Sequence, residues 1–237
     1  MKKSHLVRIA VLALLLLLIL WLIPRPSAAA PADPFEQRCE RDMRPTIVVR
    51  THAPDFVVHN SLSSRVLTNK GAYTSAGEAM MGMTSSSTRA EIYVDGPALV
   101  DVASGRECIA PRIDVELSYH PLDVYVAREF HPMSCSYRAV FEHEMQHVKI
   151  YADNLPRIER RVREELRQRY EARPLLAPLH QGLDMLQGQI DNWLRPLITA
   201  ELAKVEVEQR ALDTRAETER LSHSCLGEVA AQMGSSF

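Results

Sequence analysis

At Pro132 the chain changes its hydrophobic period, and this constrains its fold more than any other feature. Before it, Ile113-Asp114-Val115-Glu116-Leu117-Ser118-Tyr119 alternates apolar and polar residues, the period-two pattern of a strand with one buried face. Thr46–Val49, Phe56–His59, Ala90–Val94 and Val124–Ala127 are further runs of strand character, and Asp95-Gly96-Pro97 is a turn signal. After Pro132, a helix capped by Ser134 or Ser136 runs through Val140 to Ile150, and Ile158, Val162, Leu166 and Tyr170 recur at helical spacing. Strands followed by helices specify an α+β fold, read as an antiparallel sheet with one wet face followed by helices.

Finer expectations follow from local signals. Residues 31–45 read as an extended polar lead-in, and His120-Pro121 as an interruption between two strands. Asp153-Asn154-Leu155-Pro156 should end or kink the first helix, because a residue before proline avoids the α region. Leu175–Trp193 reads as a loop plus a short helix, and Leu197–His223 as a last helix. The arginine-rich stretch Arg160–Arg169 reads as the solvated face of an amphipathic helix laced by i,i+4 ion pairs.

The N-terminus has the form of an export signal. Lys2, Lys3 and Arg8 precede an apolar run from Ile9 to Ile23, and Ala28-Ala29-Ala30 offers a small-residue cleavage site. Residues 1–30 are expected to be a signal peptide, with an uncleaved membrane anchor as the alternative, and residues 31–237 a single domain. Both readings place that domain outside the cytoplasm, in the periplasm or the medium, and only the uncleaved form would touch a membrane. Residues 31–237 carry 24 Lys+Arg against 30 Asp+Glu, a net charge of −6, which argues against a nucleic-acid partner.

All four cysteines, Cys39, Cys108, Cys135 and Cys225, lie in the exported part, so two disulfides are expected, by one of three pairings. Their spacings are not those of a zinc site built from cysteines.

His143-Glu144-Met145-Gln146-His147 is the segment expected to carry chemistry. Two histidines four apart on a helix lie about 40° apart around its axis, so both imidazoles can reach one metal ion. The glutamate beside them can take a proton from activated water. A catalytic Zn2+ wants three protein ligands and an open position, so a third ligand must come from elsewhere. Asp153 is one candidate by spacing, and Glu164 or Glu165 on the next helical segment is another. A third follows if Cys135 pairs with Cys225. Residues at equal height on two antiparallel helices then sum to 360, which sets His147 level with Asp213 and His143 level with Glu217.

Taken together, the exported N-terminus, the strands, Cys135-Ser136-Tyr137 leading into the histidine motif, and Gln209-Arg210-Ala211-Leu212-Asp213 on a later helix resemble a bacterial family. It is the family of predicted secreted zinc-dependent proteases of otherwise unknown function, and the resemblance spans roughly residues 45–225. It implies a zincin-like site with His143 and His147 on zinc, a carboxylate from Asp213 or Glu217, and Glu144 as the general base. The expected activity is an exported zinc metallopeptidase acting on a peptide or protein substrate. Rival readings are a non-catalytic envelope binding module with a degenerate metal site, and a zinc hydrolase acting on cell-wall peptide. Tyr137, Tyr151, His120 and His131 are candidates by type for stabilising an oxyanion. Ile113–Tyr119 is a candidate edge strand for holding extended substrate.

Overall fold

The computed structural model describes residues 34–71 and 79–234. The expected export signal and its cleavage site lie outside the described residues. No helix among the described residues is long and apolar enough to cross a membrane.

The fold is α+β, but the main sheet is mixed rather than antiparallel. Strand β6 (Arg112–Val126) is its centre. Along one side, β1 (Thr46–Thr51) and then β2 (Phe56–His59) pair with it in parallel, and along the other β3 (Gly82–Asp95) pairs antiparallel. Alternation reports that one face of a strand is buried and says nothing about the direction of its neighbours. Ile113–Tyr119 is therefore an inner segment paired on both sides, not the expected edge. β3, like β1 and β2, pairs only β6 among the described residues, so its outer edge is unpaired, and it is the strand that lines the histidine motif.

β6 also runs unbroken through His120-Pro121, where two strands were expected. The peptide there is cis, and the register against β3 shifts between Ser86 and Thr88. Before the shift Ile113, Val115, Leu117 and Tyr119 are buried, and after it Leu122, Val124 and Val126. The irregularity switches parity from odd to even, so the same face of the sheet meets the core along the whole strand.

That face packs on α3, Cys135–Tyr170, a single helix of 36 residues preceded by α1 (Pro34–Asp42) and α2 (Ser64–Lys70). Pro156 does not end it. A proline inside a helix costs about 3 kcal/mol. Leu155, Ile158, Val162 and Leu166 continue the buried stripe across it, each contributing about 1.5–3 kcal/mol, so packing outweighs the lost hydrogen bond. The arginine-rich face is solvated as expected, with Arg161–Glu165 and Arg163–Glu159 ion pairs at i,i+4.

The lead-in expected to be extended is the helix α1, anchored by buried Phe35 and by Cys39, which bonds Cys108. A small second sheet is formed by β4 (Ala98–Asp101), β5 (Arg106–Ile109) and β7 (Leu175–Pro178). After it comes α4, Gly182–Leu212, one helix of 31 residues where a loop, a short helix and the start of a last helix were expected. Leu186, Ile190, Leu194, Ile198 and Val205 carry its buried stripe past Gly188 and Pro196. Its start is secured by Glu107, whose Oε1 accepts the Gly182 N–H at 2.6 Å. The expected last helix breaks at Asp213, and α5 (Arg215–Ser222) and α6 (Glu228–Gly234) follow. Cys135 and Cys225 are bonded, as the antiparallel argument assumed.

Candidate metal centre

The break in the chain builds the site. α4 ends at Leu212, Asp213 leaves helical geometry with φ −81° and ψ 61°, and Thr214 restarts the next helix by accepting the Glu217 N–H at Oγ1. Asp213 thereby projects from between two helices onto the His143–His147 face of α3. Its Oδ1 lies 3.2 Å from His143 Nε2 and 2.9 Å from His147 Nε2.

The outer nitrogens of both rings are held as well. His143 Nδ1 lies 3.1 Å from Glu217 Oε1, and Glu217 in turn takes two hydrogen bonds from Arg220. His147 Nδ1 lies 2.6 Å from Gln209 Oε1, while the same amide donates from Nε2 to the His147 carbonyl at 3.1 Å. That second bond fixes which end of the Gln209 amide faces the ring, so Nδ1 of His147 must be the donor. A carboxylate fixes Nδ1 of His143 the same way. With those outer nitrogens as donors, each ring turns Nε2 toward Asp213 Oδ1, where it holds either a proton shared with the carboxylate or a lone pair for a metal ion.

Two Nε2 atoms and one carboxylate oxygen converge, and the group calls for positive charge, carried by protons on Nε2 or by a metal ion. Burial pulls the His143 and His147 pKa values down, but Asp213 and Glu144 outweigh it, and both end above the usual value. Burial pushes the Asp213 carboxyl up, yet its contacts with the two histidines carry it well below the usual range. Glu217 is lowered to about 2, first by Arg220 and then by His143 against the effect of burial.

His143, His147 and Asp213 form a group that can hold a metal ion, with ligand atoms all within 4.8 Å of one another. Tetrahedral ligands at about 2.0–2.2 Å from an ion lie about 3.3–3.6 Å apart, and the two measured nitrogen–oxygen edges are within about half an ångström of that. The polar atoms behind the histidines are of the kind that orient metal ligands.

Glu144 lies beside the two histidines on α3, turned toward β3. It is buried, and Thr84 Oγ1 lies 2.8 Å from its Oε2. Burial raises its pKa, opposed by the nearby histidines and the Thr84 bond. Gly82 permits this approach. A Cβ there would meet Glu144 Oε1 at 2.5 Å and Val140 Cγ1 at 2.8 Å. Gly82, Thr84 and Ser86, alternate residues of β3, line one wall of a cavity of about 850 Å³ whose floor carries His143, Glu144, His147 and Asp213.

The structure separates the other sequence candidates from this site. Asp153 pairs with Lys149 on the exposed face of α3. Glu164 accepts from Gln168, and Glu165 pairs with Arg161 and Arg169. Asp213 reaches both Nε2 atoms, whereas Glu217 sits behind His143. Of the four residues considered for an oxyanion, Tyr151 alone lines the cavity. Tyr137 stacks on Phe141, and His120 and His131 are exposed.

Sequence reasoning missed Gln209, Thr84 and Gly82. Gln209 was findable, since it lies four residues before Asp213 and so shares its face on α4. Nothing in the sequence placed β3 beside the motif. No protein-family model, curated protein or solved structure matches the chain.

Proposed function

We propose that this chain is an exported zinc-dependent metallopeptidase of the secreted zincin-like family that its motifs resemble. The convergence of His143 Nε2, His147 Nε2 and Asp213 Oδ1 beside a buried Glu144 carries the reading. Two imidazoles and one carboxylate suit zinc and leave a fourth position open. Zinc held there supplies Lewis acidity, acidifying water and polarising a carbonyl oxygen.

This chain's own residues do the rest. Glu144 accepts the proton of the attacking water and passes it to the leaving amine, a role suited to a carboxylate that burial makes more basic. Thr84 holds Oε2 and so sets the direction of the other oxygen. The unpaired edge of β3 offers backbone N–H and C=O groups to an extended peptide, replacing the strand expected from sequence. The two disulfides suit an oxidising compartment, in keeping with export.

Zinc content of the purified full chain is the first test, and about one ion per chain is expected. A content below about 0.2, unrestored by added metal, removes the reading. Glu144→Gln should keep zinc and abolish cleavage of an unstructured protein substrate. Zinc binding without cleavage in the unsubstituted chain would favour the envelope binding module, and cleavage confined to cell-wall peptide the alternative hydrolase.

A further inference from the structure

Asp213 and Glu217 flank a break in the helical layer, so the α4 packing that precedes them does not by itself place them. α5 is held from its far end. Cys135, the first residue of α3, precedes His143 by eight residues, and Cys225 follows Glu217 by eight. Their bond fastens the end of this segment to the start of the helix that carries the histidines. Beyond it, Ser136 Oγ lies 3.1 Å from Gln232 Oε1, and Val229 and Met233 pack in one cluster with Phe130 and Val140. The histidines and their carboxylates thus sit between α4 on one side and, on the other, the disulfide together with the α6 packing beyond it.

Two observations set this bond apart from the other. Cys39 and Cys108 are buried at 1% and 0% exposure, whereas Cys135 is exposed and Cys225 half-buried. In addition, the chain turns at Cys225 through three consecutive left-handed residues, with φ 58° at Cys225, 60° at Leu226 and 83° at Gly227. Only the last is a glycine, and side chains disfavour this region. The exposed bond therefore holds a backbone turn that is free to relax once the bond is cut.

We propose that the Cys135–Cys225 disulfide is a positioning element of the metal centre and its thiol-sensitive switch. The proposal rests on the metal-centre reading above. A small-molecule dithiol attacks the exposed sulfur, the Cys135–Cys225 bond breaks, and two exchange steps leave two cysteine thiols and the oxidised cyclic reductant. The two electrons come from the dithiol. With the covalent tie gone and only the α6 packing left to hold the far end, α5 no longer keeps Glu217 on His143 or Asp213 on both rings, and the ion is held less tightly. Cys39–Cys108 stays closed.

The experiment titrates the oxidised, zinc-loaded full chain with a dithiol. Alkylation followed by peptide mapping reports which cysteines open, a chromogenic chelator reports zinc affinity, and hydrogen exchange reports residues 213–234. Alkylation should appear first at Cys135 and Cys225. The zinc Kd should weaken about 10–100-fold in step, the range for losing the groups that orient metal ligands. Exchange should rise in 213–234 and stay unchanged in β6. A Cys135→Ser/Cys225→Ser variant should show the weakened Kd before any reductant and no further change with it. Zinc affinity unchanged after both cysteines are alkylated, or opening of Cys39–Cys108 first, overturns this proposal alone. An oxidised chain that takes up no zinc overturns the metal-centre reading and this proposal with it.

Discussion

Gln209 makes the sharpest test of how the site is held. It is buried, accepts from His147 Nδ1 at 2.6 Å and donates to the His147 carbonyl at 3.1 Å. Gln209→Met keeps volume and helix propensity but removes both bonds. The buried Nδ1–H of His147 loses its only partner, at about 1–3 kcal/mol, while the carbonyl keeps its helical bond and loses a second one worth about 0.5–1.5 kcal/mol. The metal-free protein should lose about 2–4 kcal/mol on those terms, and the zinc Kd should weaken about 10–100-fold because the His147 ring is free to turn. Gln209→Glu separates the two bonds. It retains an acceptor for Nδ1 and places a carboxylate oxygen against the His147 carbonyl. Its metal-free stability should fall by about 1–3 kcal/mol, while its zinc affinity stays within about threefold of the original or improves, since a carboxylate makes the imidazole more basic. Urea unfolding in the presence of a chelator measures the first quantity, and competition with a chromogenic chelator the second. A Gln209→Met protein that binds zinc within threefold of the original would show that the amide does not orient His147.

The remaining predictions follow from the same contacts. Asp213→Ala should abolish stoichiometric zinc binding, whereas Glu217→Gln should weaken it about 10–100-fold, because only Asp213 reaches both Nε2 atoms; equal losses measured by zinc content would refute that division. Gly82→Ala should cost about 1–3 kcal/mol in urea unfolding, since its Cβ meets both Glu144 and Val140 below contact distance; an unchanged midpoint would mean that β3 can retreat freely. Burial pushes Glu107 up, but the backbone N–H groups of Gly182, His180 and Gln181 outweigh it and leave its pKa lowered. Its stabilisation is then complete above its unfolded pKa of about 4.3 and is lost as pH falls through the lower folded value. The urea midpoints of the original chain and Glu107→Gln should converge below about pH 4 and separate above it; a gap independent of pH would refute the assignment.

Much of this molecule was legible locally. The histidine pair, the adjacent glutamate and the strand-to-helix order all follow from residue spacing, and the structure shows the α+β class. The Cys135–Cys225 pairing set the heights that bring Asp213 level with His147 and Glu217 level with His143. Those heights held although the helix assumed to carry both carboxylates breaks between them. Boundary signals were less faithful. Pro156 reads as a stop or kink and Pro196 as the boundary before a last helix, yet both lie inside helices, because buried leucine and isoleucine on both sides outweigh one lost hydrogen bond.

The sequence by itself determined that His143 and His147 share a helix face and which faces are buried, because both follow from the period of a helix or strand; it left the third ligand open. Only the tertiary structure decided that β1 and β2 run parallel to β6, that β3 leaves its outer edge open beside the motif, and that Gly82 and Thr84 stand against Glu144. It alone divided the carboxylates, setting Asp213 on both Nε2 atoms and Glu217 behind His143. The direction of a strand's neighbour and the side of an imidazole that a carboxylate reaches depend on how distant segments cross, and residue spacing within one segment carries no record of that crossing.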